Sequence, residues 1–348
     1  MRSADAAMAR TARVVRFHQT GGPEVLRIET LPIEEPGPGE LRLRVQAIGL
    51  NRAEAAFRAG LYFEQPAFPA RIGYEASGVI EALGAAVDGF HVGQAVCVLP
   101  GAAMSRHGVY GDNAIVPAAL VIARPAGIDA LTGAALWMQY LTAYGALVNI
   151  AHIAPGEAVV ITAASSSVGI AAIQLCNQLG AVPIAVTRDP LKAAALHQHG
   201  AAHVIVGGAN DVPAQTLRLT KGRGARLAFD PVAGPGVARL AEALEPGGVL
   251  VLYGNLSGQG EQTPFPFSAA VSKGLSIRGY LVAELIRAVQ QRADAVAFIV
   301  AGMACGQLKP VIAKTFPLDA IADAHRYLES NQQIGKVVVF ADARDTET

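Results

Sequence analysis

The sequence predicts an α/β protein in which a β-rich region precedes a doubly wound parallel sheet. Three observations predict it. The first 130 residues read mostly as strands, strands and helices alternate from about Leu131 onward, and a loop of small residues joins a buried strand to a helix at 158–179. Residues 158–162 form a short apolar run, as in a strand buried on both faces. Residues 169–179 carry alanine and other apolar side chains at helical spacing. Strand, tight turn and helix in that order aim backbone N–H groups and a helix N-terminus at a phosphate. Against the G-x-G-x-x-G pattern the loop reads Ala164-x-Ser166-x-x-Gly169. The third glycine is present and small residues replace the first two. Ser165, Ser166 and Ser167 could add hydroxyl hydrogen bonds, although a purely structural turn of small residues would look the same.

Taken in order, residues 13–17 alternate as a strand, and after the Gly21-Gly22-Pro23 turn 25–29 reads as another. The Pro- and Gly-rich stretch 32–39 is a loop. Residues 40–50 set Arg42, Arg44 and Gln46 against Leu41, Leu43 and Val45, the pattern of a half-exposed strand. A helix is expected over 51–60, stopping at a glycine, then a glycine-punctuated strand within 71–87 and a strand at 94–99. Residues 137–150 read as a helix leading into the small-residue loop. Strands at 182–186, 204–206, 227–230 and 249–252 then alternate with helices at 190–199, 212–220 and 236–244. This repeated βα unit implies a parallel sheet with helices on both faces, and 275–281 reads as its last strand. The tail is expected to hold a helix at 283–306, a strand at 311–315, a helix at 319–330 and a strand at 336–340.

At 348 residues the chain has room for about two ordinary domains. Its 28 basic residues balance 28 acidic ones, so nothing points to nucleic acid or an anionic membrane surface as a partner. No apolar run approaches the roughly 20 residues of a membrane-spanning helix. Residues 1–11, with Arg2, Asp5 and Arg10 and no apolar core, read as a short disordered extension rather than a signal peptide. Cys97, Cys176 and Cys305 are far apart and lack C-x-x-C spacing. They read as reduced and chemically quiet, and the protein as cytoplasmic.

The segments Gly49-Leu50-Asn51-Arg52-Ala53-Glu54, Gly73-Tyr74-Glu75-Ala76-Ser77-Gly78, Thr142-Ala143-Tyr144-Gly145, the small-residue loop and Gly335-Lys336-Val337-Val338 occur together in this order. In that combination the chain resembles the medium-chain dehydrogenase/reductase superfamily over nearly its full length. Within it, the chain is similar to the zinc-free quinone oxidoreductase (zeta-crystallin-like) branch. The resemblance implies a GroES-like catalytic domain at 1–130 and 280–348 and a Rossmann domain binding NADPH at 131–279. It also implies a homodimer in which the last Rossmann strand pairs with its twofold mate. The positions that hold catalytic zinc in related alcohol dehydrogenases match Asn51, Tyr74 and about Met138 here. None suits a metal that prefers thiolate, imidazole or carboxylate, and the cysteine-rich structural zinc lobe is missing. His107, with Asp112 nearby, is the remaining metal candidate, or an ordinary solvated histidine. Without Lewis-acid polarisation, what remains is hydride transfer from a nicotinamide to an electron-poor acceptor, a quinone or an α,β-unsaturated carbonyl.

By the same resemblance Asn51 and Tyr62 sit beside the nicotinamide. An amide and a phenol there can hydrogen-bond an oxygen as negative charge develops; alternatively Tyr62 covers the site and Asn51 holds a turn. Tyr140 could reach the substrate or belong to the core, and Tyr74 carries no defined role. Ser165, Ser166, Ser167, Val168 and Gly169 are expected to receive the pyrophosphate. Asp230, Val232, Gly254 and Asn255 are expected to contact the nicotinamide half. Tyr144 and Lys336 are carried over as further cofactor contacts, though Lys336 could be an exposed strand residue. At the end of the second Rossmann strand stands Thr187, followed by Arg188, with Lys192 in the next turn. A hydroxyl tolerates the 2′-phosphate that a carboxylate would repel, Arg188 offers a planar fork and Lys192 a second charge, so NADPH is the expected cofactor. Against this, Asp189 could take the acidic role, or Arg188 could simply be solvated. The alternatives are a 2-enoyl-thioester reductase, with Arg52, Arg58 and Arg71 as a basic entrance, an atypical alcohol dehydrogenase, and a structural role like that of a lens crystallin.

Overall fold

The computed structural model describes residues 10–341. Of the extension expected at 1–11, residues 1–9 lie outside the described residues, and Thr11 already opens the first strand. In chain order the strands are β1 (Thr11–Phe17), β2 (Arg27–Pro32), β3 (Glu40–Leu50), β4 (Ala70–Arg71), β5 (Glu75–Leu83), β6 (Ala95–Val98), β7 (Asn113–Pro117) and β8 (Val121–Ala123). They continue with β9 (Ala158–Ile161), β10 (Val182–Thr187), β11 (His203–Val206), β12 (Ala225–Asp230), β13 (Leu244–Leu252), β14 (Ser276–Gly279), β15 (Ile312–Pro317) and β16 (Lys336–Phe340). The chain divides into two compact units, one formed by the segments up to Trp137 and from Ile312 onward, the other by Met138–Val311. The segment 280–311, expected with the first domain, thus groups with the second unit. Hydrogen bonds hold it there: Gln174 Nε2 donates to the Lys309 carbonyl at 3.0 Å, and Lys309 N donates back to Gln174 Oε1 at 2.8 Å.

The first unit contains a seven-stranded sheet in the order β15-β16-β3-β5-β6-β8, with β7 also paired to β3, and a three-stranded sheet β2-β1-β4. Strand β3 is more buried than its alternation suggests, although Arg44 is exposed and Gln46 partly so. Leu41, Leu43, Val45 and Ile48 are buried, and so is Arg42. Arg42 Nη1 donates to the Glu34 carbonyl at 3.0 Å and Glu35 Oε1 at 2.8 Å, and Nε lies 3.6 Å from Glu81 Oε2, so its charge lies among partners rather than in water. The β3–β5 register also slips twice, between Arg42 and Leu43 and between Val45 and Ala47, so simple alternation fails. The tail strand β16 runs antiparallel to β3 with Val337 opposite Leu50, which brings Lys336 beside Asn51. Strands β7 and β8 and the short helices Met104–His107 and Ala130–Ala134 have no counterpart in the sequence reading.

The second unit is the predicted doubly wound sheet, with order β11-β10-β9-β12-β13-β14 and every neighbouring pair parallel. Numbered from β9, this is 3-2-1-4-5-6. The order reverses between β9 and β12, and in open sheets of this kind ligands bind outside the carboxyl ends of the strands at that reversal. The central strands are fully apolar and buried at Val159, Val160, Ile161, Leu227, Ala228 and Phe229, as a sheet covered on both faces requires. Strand β14 is shorter than the expected 275–281 and forms the outer edge. The helix expected at 283–306 is two helices, Val282–Arg287 and Val289–Ala304. The chain turns out of helical geometry at Ala288 (φ −83°, ψ 91°), with neither glycine nor proline at the break.

Candidate active site

In the first unit a buried polar network forms where β3 ends and β16 begins. Asn51 caps the helix Arg52–Arg58 and is 8% exposed. Its Nδ2 donates to the Gly49 carbonyl at 3.1 Å and to Glu54 Oε1 at 3.0 Å, and its backbone N–H donates to Glu54 Oε2. Its Oδ1 accepts from Lys336 Nζ at 2.6 Å. Both amide hydrogens are therefore engaged, and a substrate oxygen at Asn51 would compete with a carboxylate and a carbonyl. Reversing the amide would set its NH2 against the Lys336 ammonium and its oxygen against Glu54, so the network fixes its orientation. Lys336 also donates to Glu75 Oε2 at 2.6 Å with both side chains wholly buried, and Trp137 N donates to Glu75 Oε1 at 2.6 Å. Lys336 is thus no exposed strand residue: its charge is neutralised inside the unit, 1% exposed.

Glu54 is fully buried and also accepts from Tyr74 N at 3.1 Å. Burial pushes its carboxyl up to about 7, against the opposing pull of the Asn51 hydrogen bonds and the Lys336 charge. Glu54 was legible in the sequence as part of a capping box, since Asn followed three residues later by Glu has that spacing. Tyr62 and Tyr74 are half-buried with ring centroids 6.3 Å apart, in edge-to-face contact. Burial raises both phenols, with the nearby Glu54 and Glu64 carboxylates acting in the same direction, so both retain their protons. Tyr74 additionally donates to Glu64 Oε2 at 3.4 Å.

In the second unit the carboxyl ends of β9, β10, β12 and β13 carry the predicted cofactor residues. Ser166 caps the helix Ser167–Gln178, its Oγ accepting from Gly169 N at 3.1 Å. Gly169 is required by proximity. A Cβ there would lie 2.5 Å from the Ala164 carbonyl oxygen, so only glycine lets the helix approach the strand this closely. Lys192 Nζ donates to Ser165 Oγ at 3.3 Å, which ties the end of β10 to the loop, and burial lowers its pKa. The Thr187 hydroxyl accepts from Asp189 N at 3.2 Å. Asp189 itself accepts from Leu191 N at 2.9 Å, a local turn that keeps its carboxylate on its own backbone. Arg188 is exposed.

Asp230 lies nearly buried at the reversal, bonded by the Thr162 hydroxyl and by Ala233 N, with burial raising its pKa. The Pro231 and Val232 carbonyls accept from Leu256 N and Ser257 N, which lock the 230–232 turn to the loop after β13. In that loop Gly254 approaches the Pro231 carbonyl so closely that a Cβ would sit 2.8 Å from it, and Asn255 Oδ1 accepts from Gly260 N at 2.8 Å. Tyr144 packs edge-on against Phe298 at 5.3 Å. Tyr140 is 1% exposed and donates to Gln174 Oε1 at 2.6 Å, which makes it a core residue.

Metal chemistry finds poor donors here. The Asn51 amide is engaged, the Tyr74 phenol is held protonated, and Met138 offers a thioether. His107 bonds the Ile115 carbonyl through Nδ1 at 3.1 Å. Among the described residues no three His, Cys, Asp or Glu side chains converge, and no helix is long and apolar enough to cross a membrane.

Residues 37–143 match the alcohol dehydrogenase GroES-like domain family, and residues 199–339 match the zinc-binding dehydrogenase family. A synaptic vesicle membrane protein VAT-1 homolog of Rattus norvegicus is 30% identical over 335 residues, covering 92% of this chain and 81% of its own. A quinone oxidoreductase of Pseudomonas aeruginosa is 34% identical over 247 residues, covering 71% of this chain and 74% of its own. The crystal structure of an Escherichia coli quinone oxidoreductase complexed with NADPH superposes with a TM-score of 0.88 at 27% identity, covering 95% of this chain and all of the other.

Proposed function

The chain belongs to the medium-chain dehydrogenase/reductase superfamily, in its quinone oxidoreductase-like branch, and on that premise we propose that it is an NADPH-dependent reductase of quinones or α,β-unsaturated carbonyls. The cofactor supplies a hydride, and the protein contributes binding, orientation and a proton. The carrying observation is the loop at the sheet reversal, where Gly169 brings a helix N-terminus against β9 while Thr187, Arg188 and Lys192 stand where an NAD-specific fold would carry an acid. In this reading Ser165–Gly169 hold the pyrophosphate, and Arg188 and Lys192 meet the 2′-phosphate. Asp230, Val232, Gly254 and Asn255 supply backbone at the nicotinamide half, with Tyr144 as a further cofactor contact.

Tyr62 is the proposed donor to the substrate oxygen. Asn51 serves by holding Lys336 and Glu54 around the same spot rather than by donating its own engaged amide hydrogens. The poor donor set at Asn51, Tyr74 and Met138 favours turnover without catalytic zinc. The test is a screen of quinones and enones for NADPH oxidation, repeated after dialysis against a chelator. Turnover that is indifferent to chelation is expected. Loss of activity restored by stoichiometric zinc would favour the atypical alcohol dehydrogenase instead.

A further inference from the structure

Glu64 has no part in that chemistry and Tyr74 enters it only as a poor metal donor, yet the fold sets both next to Tyr62. The Tyr62 and Tyr74 rings meet edge to face at 6.3 Å, and the Tyr74 hydroxyl donates to Glu64 Oε2 at 3.4 Å. Glu64 is oriented from its other side by the backbone N–H groups of Met104 at 3.2 Å and Ser105 at 3.3 Å. It is partly exposed, whereas Tyr62 and Tyr74 pack against the apolar core of the first unit. The three residues therefore lead from a solvated carboxyl inward to the proposed donor. Reducing a carbonyl with a hydride requires one proton per turnover, and a phenol that has given its proton must recover it from somewhere.

We propose that Glu64 and Tyr74 form a proton relay that refills Tyr62 from solvent. Water protonates the Glu64 carboxylate. As hydride reaches the acceptor and negative charge develops on its oxygen, the Tyr62 O–H bond breaks and the product O–H forms. Tyr62 oxygen takes the Tyr74 proton, and Tyr74 oxygen takes the proton from the Glu64 carboxyl. Three O–H bonds break and three form, and one solvent proton ends on the product. The electron pair comes wholly from NADPH. Tyr74 and Glu64 act only through Tyr62. The competing role for Glu64 is mechanical, since its bonds to Met104 and Ser105 also fasten the loop after the helix Arg52–Arg58 to the helix Met104–His107.

The relay rests on the reductase reading, and one experiment separates the two. Wild-type oxidation of NADPH by 9,10-phenanthrenequinone tests the activity, and the ratio of variant to wild type tests the relay. Glu64→Gln keeps an acceptor for one of the two backbone amides, which bond different oxygens of Glu64, and cannot carry the proton, and Tyr74→Phe removes the middle oxygen. Each is expected to lower kcat by about tenfold, at the modest end for a general acid, with KM little changed. Formate or acetate should restore Glu64→Gln in proportion to its concentration. The solvent deuterium effect on kcat, carried by several protons in wild type, should reduce to a single-proton dependence in Tyr74→Phe. Wild-type kcat in both variants would overturn the relay. So would losses that no small acid restores, with the solvent effect unaltered, because those are the marks of a fastener.

Discussion

Thr187 ends β10 with a hydroxyl where an acid would repel a 2′-phosphate, and the neighbouring Asp189 carboxylate accepts from Leu191 N. Arg188, together with Lys192, is then the proposed discriminator. Arg188→Ala is expected to weaken NADPH binding by about 1–3 kcal/mol, the range for a hydrogen bond to a charged group, and to leave NADH almost unchanged. Calorimetric titration with both cofactors checks this, and equal losses would assign Arg188 to the fold or the adenine. Glu54 bears on pH. Its carboxyl is raised from an ordinary value of 4.5 to about 7, so the folded protein holds a proton that the unfolded chain has released. The resulting stability is full below about pH 4.5 and is lost as pH rises to 7, an effect of roughly 3 kcal/mol at most. His325, pushed down to about 3 by burial and by Arg58, has the opposite slope, losing stability as pH falls from 6.5. Glu54→Gln should therefore show a smaller fall in its urea midpoint between pH 5 and pH 8 than wild type. Some of this was legible in the residues. Gly169 could be read because close approach permits nothing larger, whereas the burial of Lys336 could not, since its partner Glu75 is 261 positions away.

At the scale of elements, the repeated βα pattern of 158–281 was readable because its central strands β9, β10 and β12 are buried on both faces and alternate with helices. The β-rich unit was harder. In β3 Arg44 is exposed as its pattern suggests, but Arg42 is buried, held by the Glu34 carbonyl and Glu35, and two register slips interrupt the alternation. β7 and β8 are only 5 and 3 residues long, too short for a period to show. The strand with the clearest unmet requirement is β14, the outer edge of the parallel sheet. Phe265, Phe267, Val271 and Val289, which flank it in the chain, are each at least 65% exposed. An open edge beside apolar surface is a pairing site. A homodimer formed by two β14 strands about a twofold axis is the expected assembly, and light scattering at micromolar concentration should return twice the 36.0 kDa chain mass. A monomer there would contradict it.

At the scale of the whole molecule the two units differ in how the chain builds them. Met138–Val311 is one uninterrupted segment, whereas the other unit needs strands from both sides of it. As a separate protein, 138–311 is expected to unfold cooperatively and to gain melting temperature with NADPH, and a calorimetric scan with and without the cofactor checks this. The discontinuous unit has a consequence for synthesis. β3 is made early, but its neighbour β16 leaves the ribosome about 290 residues later, which at 5–20 residues per second is a wait on the order of half a minute. Throughout that interval Ala47, Ile48, Gly49 and Leu50 lack the partners they will find in Phe340, Val339, Val338 and Val337. During translation, an apolar strand edge is open to any other nascent chain, and the last of the described strands to emerge is the one that closes it.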